Sequence, residues 1–179
     1  MELKLLPLKR EYLEFVREVR NDPEVNKYLF INVNISREEQ ERWYRRQVRD
    51  KRNRVFIALA DEAIGYCQVK NIDRVNRSCE LGFCIIPRHQ GKGYGMALVK
   101  QLISYAKSKL KMHRLYLEIF ADNEKAIKLY ENCGFSKEGI LRDKIFKDGK
   151  FRDVMVMSII ADNTISSPRC KAIEERRCY

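Results

Sequence analysis

The chain has 179 residues, 45% apolar and 34% charged, with a formal net charge of +11 at pH 7. That length suits one domain with a true core, and that balance excludes a disordered or fibrous chain. No apolar run approaches the ~18 residues of a membrane span, and Met1-Glu2-Leu3-Lys4-Leu5 lacks a signal-peptide core, so a cytoplasmic location with no membrane partner is expected.

In chain order, residues 11–20 carry a short helical pattern that ends near Asn21-Asp22-Pro23. Ser36 begins a second helix, and Glu39 three residues later completes a capping box. Residues 55–60 and 63–70 read as two strands joined by a turn at Asp61-Glu62. A third strand, 79–86, leads into Pro87-Arg88-His89-Gln90-Gly91-Lys92-Gly93-Tyr94-Gly95. A long helix over 95–111 follows, with Leu98, Val99, Leu102, Ile103, Ala106 and Leu110 on one face. Next come a strand at 115–120 and a helix at 124–132, with Asn123 as its N-cap and Gly134 in the left-handed position past its end. Asp148-Gly149 signals a type I′ turn between strands at 139–147 and 150–160. Residues 161–179 lose the pattern and read as an appended, poorly ordered tail, which leaves one domain over 1–160.

The glycine-rich run carries the first chemical signal. Glycines let the backbone approach a phosphate, and a helix N-terminus presents unpaired amides and a favourable dipole to an anion. A Walker loop is excluded because no Ser or Thr follows Gly91-Lys92, and the dinucleotide fingerprint is excluded because the glycines fall at 91, 93 and 95. What remains is Gln-x-x-Gly-x-Gly at Gln90, Gly93 and Gly95. A tight turn with no ligand would also satisfy this segment alone. The second signal is Asn123-Glu124-Lys125-Ala126-Ile127-Lys128-Leu129-Tyr130-Glu131-Asn132-Cys133-Gly134-Phe135, which alone reads equally as a capped helix with a core tyrosine.

Together, at this separation, the two segments resemble both halves of the cofactor site of the GNAT N-acetyltransferase family. The resemblance extends over residues 1–160. It implies an α/β (α+β) GNAT fold: a mixed, mostly antiparallel six- to seven-stranded sheet flanked by about four helices. It also implies acetyl-CoA as co-substrate, held by the amides of Gln90, Gly91, Lys92, Gly93, Tyr94 and Gly95 together with Ile85 and Ile86 on the preceding strand. Asn123 matches the asparagine that hydrogen-bonds the pantetheine arm, and Tyr130 the tyrosine that protonates the leaving sulfur. Because the loop acts through amides, Lys92 and Tyr94 are expected to matter less than Gly93 and Gly95.

The second catalytic candidate comes from the strand before the loop. Alternation places Glu80 with Gly82 and Cys84, opposite Leu81, Phe83 and Ile85. A carboxylate there is a candidate base for the acceptor amine, the role the resemblance also implies. The bland alternative is a strand-end glutamate paired with a lysine or arginine such as Arg77. Glu118, on a strand apolar on both faces, ranks below Glu80. Keeping both Tyr130 and Glu80 favours catalysis over a non-catalytic acetyl-CoA or nucleic-acid binding module.

Six cysteines stand at 67, 79, 84, 133, 170 and 178 without a Cys-x-x-Cys, and only His89 and His113 could assist them. No metal is expected, and the cysteines read as small hydrophobes. The basic cluster from Arg42 to Arg54 reads as a solvated helical face running into a loop, and no nucleic-acid motif accompanies it.

Within the family, three subgroups are similar: those acetylating the 4-amino group of UDP-linked amino-dideoxy sugars, N-termini of ribosomal proteins, and spermidine. The likeness lies in residues 20–25, 35–40 with Trp43, 77–82, 141–143 and 153–157. Net charge favours a dianionic nucleotide sugar over a polycation, unless an acidic pocket intervenes. The expectation is therefore a small-molecule amine partner, first a UDP-amino sugar, then a protein N-terminus or spermidine. A homodimer is left open.

Overall fold

A computed structural model describes residues 3–31 and 34–161. Its elements are β1 (Lys4–Pro7), α1 (Leu13–Asn21), α2 (Pro23–Asn26), α3 (Arg37–Arg49), β2 (Arg54–Leu59), β3 (Ala63–Asp73) and β4 (Ser78–Ile85), then α4 (Tyr94–Ser108), β5 (Arg114–Phe120), α5 (Glu124–Glu131), β6 (Ser136–Lys147) and β7 (Lys150–Ile160). The seven strands form one sheet in the order β1-β2-β3-β4-β5-β7-β6, mostly antiparallel as expected, with five α-helices rather than about four.

Local chemistry explains most boundaries. Ser36 caps α3 by accepting from Glu39 N (3.2 Å), and Glu39 Oε2 accepts from Ser36 N (2.8 Å), so the expected capping box closes. Asp22 accepts from Glu24 N (2.8 Å) and Pro23 starts α2, a short helix where the sequence suggested only an ending. The α4 helix stops at Ser108 rather than 111: Lys111 is left-handed (φ 61), and Met112 N returns to Ala106 O (3.0 Å). Asp148 (φ 51) and Gly149 (φ 80) form the positive-φ turn expected between β6 and β7. The four-residue β1 was not foreseen from the sequence, being too short to show a period. Of the expected tail, only Ala161 lies within the described residues.

The sheet is covered on both faces by separate cores. Behind it, α4 and α5 place Leu98, Leu102, Ile127 and Tyr130 against Leu81, Leu115, Leu117 and Met157. In front, Val16, Val19 and Val25 of the first two helices pack on Val55, Ile57, Tyr66 and Cys84. Strand alternation thus assigns Cys79, Leu81 and Phe83 to the rear and Cys84 to the front. The two sheet edges differ. Strand β1 is short and ends at Pro7, whereas the twelve-residue β6 is largely exposed and breaks register between Leu141 and Ile145, where Asp143 is left-handed (φ 50).

Two positions test this arrangement. A Cβ on Gly65 would lie 2.0 Å from Cys84 O, so Gly65→Ala is expected to lower unfolding free energy by roughly 1–3 kcal/mol in urea titrations. At the far side of the sheet, Arg114 donates a bidentate pair to Glu138, and Ser158 Oγ adds a 2.6 Å bond, so the Glu138 carboxyl is pulled down to about 2, chiefly by Arg114. A depressed carboxyl contributes stability above its unfolded pKa and loses it as pH falls toward the folded value. Between about pH 4.5 and 2, Glu138→Gln should therefore show a smaller loss of melting temperature than the parent, measured by circular dichroism.

Candidate active site

Strands β4 and β5 run parallel but pair only at Ser78↔Arg114, Cys79↔Leu115 and Glu80↔Tyr116. Beyond Glu80 the two strands part, and a cavity of about 720 Å³ opens between them. Leu81 to Ile85 line one side and Glu118 and Ile119 the other. Main-chain groups on the parted edge of β4 lack a strand partner there, so an extended amide-bearing chain can bond to them.

At the end of β4 the chain turns through Pro87–His89 into the glycine run. Gly91 (φ 73) and Gly93 (φ 84) are both left-handed, a conformation that excludes most side chains. Gly93 caps α4 without any side-chain bond, and Ala97 N is the first amide to bond back to it, at Gly93 O (3.2 Å). The amides of the first α4 turn are therefore free to hold an anion, favoured by the helix dipole. Gln90 Nε2 donates to Ile85 O (2.8 Å), so this side chain pins the turn to its strand. Glu62, from the β2–β3 turn, braces the same segment through Arg88 (2.7 Å) and His89 (2.8 Å).

The expected donor-site residues separate into two groups. Ile85, Gln90, Gly91, Gly93, Gly95 and Asn123 line the cavity. Ile86, Lys92 and Tyr94 are not among the lining residues. Ile86 packs with the front core, Lys92 is exposed, and Tyr94 lies against His89 with ring centroids 5.9 Å apart. Asn123 caps α5 by accepting from Ala126 N (3.2 Å) while facing the cavity, so it is a cap and a lining residue together.

Tyr130 is held on α5 by edge-on contacts with Phe83 (6.0 Å) and Phe135 (5.4 Å). It is 4% exposed yet lines the cavity. Burial, aided by the nearby Cys84, Cys133 and Glu80 groups, pushes its phenol well above the ordinary tyrosine value. The hydroxyl therefore keeps its proton at neutral pH and can donate it.

Glu80 approaches from the opposite face of the sheet. It is buried, accepts from Lys70 Nζ (2.6 Å) and Asn71 Nδ2 (2.8 Å), and lines the cavity at the last paired position of β4. Its ion-pair partner is Lys70, not Arg77, whose Nε donates to Lys111 O (2.9 Å). Asn71 reaches Glu80 from a left-handed position (φ 53) at the β3 bulge, a supporting role that no local sequence pattern announced. Glu118 also lines the cavity and pairs with Lys144 Nζ (2.5 Å). The front wall comes from the segment after α1: Val25, Tyr28, Leu29, Phe30 and Ile31, with Trp43 of α3.

Cys67, Cys79 and Cys84 are buried free thiols, as expected of small hydrophobes, and burial pushes Cys79 up to about 12 and Cys84 up to about 11. Cys170 and Cys178 lie outside the described residues. Among the described residues no His, Cys, Asp and Glu side chains gather into a metal-binding group, and no helix is long and apolar enough to cross a membrane.

An anion seat, a slot for an extended amide chain and a buried acid sharing one cavity meet the demands of acyl transfer from a coenzyme A thioester. The class so defined is the acetyl-CoA-dependent N-acetyltransferase. Residues 2–136 match the Acetyltransferase (GNAT) domain, and the chain belongs to that family. It is similar to the spermidine N(1)-acetyltransferase of Vibrio cholerae, 33% identical over 161 residues that cover 89% of this chain and 93% of that protein. The crystal structure of spermidine N-acetyltransferase from Vibrio cholerae in complex with CoA and spermine superposes with a TM-score of 0.84 at 34% identity, covering 88% of this chain and 95% of that one. A putative ribosomal N-acetyltransferase of Bacillus subtilis is 30% identical over 148 residues, 79% of this chain and 81% of that protein.

Gly93→Val places a β-branched residue at φ 84 and turns the α4 amides out of position. It is expected to abolish acetyl-CoA binding in isothermal titration calorimetry. Affinity equal to the parent's would refute the loop assignment.

Proposed function

We propose that the acceptor is a linear polyamine of the spermidine type, acetylated at a primary amine. The observation that carries this reading is the similarity to a spermidine N-acetyltransferase along nearly the whole of both chains. The cleft's chemistry agrees with it. Glu24, Glu80 and Glu118 line the cavity, and each holds a lysine ammonium of this chain: Lys27 at 2.6 Å, Lys70 at 2.6 Å and Lys144 at 2.5 Å. A wall that already accommodates three ammonium groups offers an incoming polyamine the same carboxylates. Tyr28, Phe30 and Trp43 add ring faces suited to methylenes and cations.

The UDP-amino sugar expected from net charge receives less support. Whole-chain charge does not describe the cleft, which Arg20, Lys70 and Lys125 line together with the three glutamates. With local charge balanced, the argument from +11 loses its force, and likeness to polyamine enzymes supports the polyamine reading.

In this reading the amine nitrogen bonds the acetyl carbon as the carbon–sulfur bond breaks. Glu80, oriented by Lys70 and Asn71, accepts the amine proton directly or through a water, and Tyr130 gives its proton to the departing thiolate. Glu118 is the second candidate base.

Thiol release from acetyl-CoA would be followed with spermidine, a UDP-4-amino-4,6-dideoxy sugar and a peptide N-terminus as parallel acceptors. Spermidine should be turned over fastest, and Tyr130→Phe should lower kcat about a hundredfold or more with acetyl-CoA affinity retained. Turnover confined to the sugar or the peptide would overturn the acceptor, and an unchanged kcat in Tyr130→Phe would overturn the role of that hydroxyl.

A further inference from the structure

The front wall of the cleft is weakly supported by its own packing. Between Pro23 and Ile31 only Val25 is buried, Tyr28 is 39% exposed, and α2 is a single turn. Something else must fix it, because a binding wall contributes affinity only when its geometry is set before the ligand arrives.

The support comes from the opposite end of the chain. Lys147, the last residue of β6, is 1% exposed, among the most buried side chains described. A lysine is rarely so buried unless its ammonium is fully engaged. Its Nζ donates to Ile31 O at 2.5 Å and to Asn26 Oδ1 at 3.1 Å, so it joins the end of the wall segment to the last residue of α2 within it. Asn26 Nδ2 passes the tie onward to Arg20 O at the end of α1 (2.9 Å). Three residues past the Asp148-Gly149 turn, Arg152 Nη1 donates to Lys27 O (3.1 Å), and Nη2 grips both oxygens of Asp122 (2.6 and 2.8 Å). The same guanidinium lies 3.6 Å above the Phe120 ring, and Phe120 meets Phe30 of the wall edge-on at 4.8 Å. Lys147 and Arg152 are not among the residues lining the cavity.

We propose that Lys147 and Arg152 are positioning residues for acceptor recognition: the tip of the β6–β7 hairpin clamps the 23–31 wall and so sets amine affinity and selectivity. The inference rests on reading that wall as the acceptor side of the cleft. It makes one cation per strand of the hairpin responsible for a surface more than a hundred residues away in sequence.

The test compares Lys147→Met, Asn26→Ala and their double variant with the parent. Hydrogen exchange of the 23–31 amides is read first, because it needs no acceptor. Lys147→Met should speed exchange there at least tenfold and leave the 87–100 segment unchanged. Steady-state kinetics with spermidine should then show KM for the amine raised tenfold or more, with KM for acetyl-CoA unchanged within twofold. The double variant should be no worse than Lys147→Met alone, since both substitutions cut the same tie. If Lys147→Met does not fold, Asn26→Ala carries the same readouts. Parental exchange in 23–31, equal acceleration in 87–100, or a parallel rise in both KM values would overturn the clamp. Absent spermidine turnover together with accelerated 23–31 exchange would overturn the polyamine assignment and leave the clamp standing.

Discussion

The site depends on two parallel strands that stay together for three residue pairs and then separate. Had β4 and β5 paired to their ends, Tyr130 on the rear core and Glu80 on the front would be divided by a closed sheet. The parting places a rear phenol and a front carboxylate on one cavity and leaves strand edge exposed for a ligand's amides. It also determines what the flanking helices must do. Helix α4 crosses from one parted strand to the other and brings its free amides to the mouth of the gap, while α5 delivers Asn123 and Tyr130 from behind.

Legibility in the sequence followed the distance over which each feature is encoded. The capping box at Ser36 and Glu39, the left-handed Gly134 and the Asp148-Gly149 turn are built from neighbours, and they stand where the pattern placed them. The glycine turn and the Asn123-to-Tyr130 helix were legible for the same reason. The parting of β4 from β5 was not, because strand propensity says nothing of how far a pairing runs. The partners of Glu80 were legible only in kind: its strand position allows a lysine or arginine without saying which, and Asn71 occupies a left-handed position that its type permits without signalling. The front wall was the least legible part. Its anchor, from Lys147 to Asn26, spans 121 positions, and a lysine beside a turn reads as solvent-facing until the fold encloses it.

The division into two cores gives the two sides of the cleft different constraints. The rear core is the larger, and it contains Tyr130 and supports α4, so substitutions there disturb the acetyl-CoA half. The front core is a small cluster of valines with Ile57, Tyr66 and Cys84, and the wall it supports is joined to the rest by polar ties. Whole-chain charge is correspondingly a poor guide to the acceptor: most cations decorate surfaces remote from the cleft, such as the outer face of α3 with Arg42, Arg46 and Arg49.

The uneven sheet edges bear on how concentrated solutions of this protein behave. An unpaired strand is a template for another chain's backbone, and β6 would be a long one, twelve residues with Ile140 and Leu141 exposed. The register break between Leu141 and Ile145, with left-handed Asp143 inside it, cuts that template into two short pieces, and Lys137 places charge on the first. At the other edge, β1 offers only four residues and closes on a proline that donates no hydrogen bond. Ribbon-like self-association through these backbones is thereby interrupted at both margins.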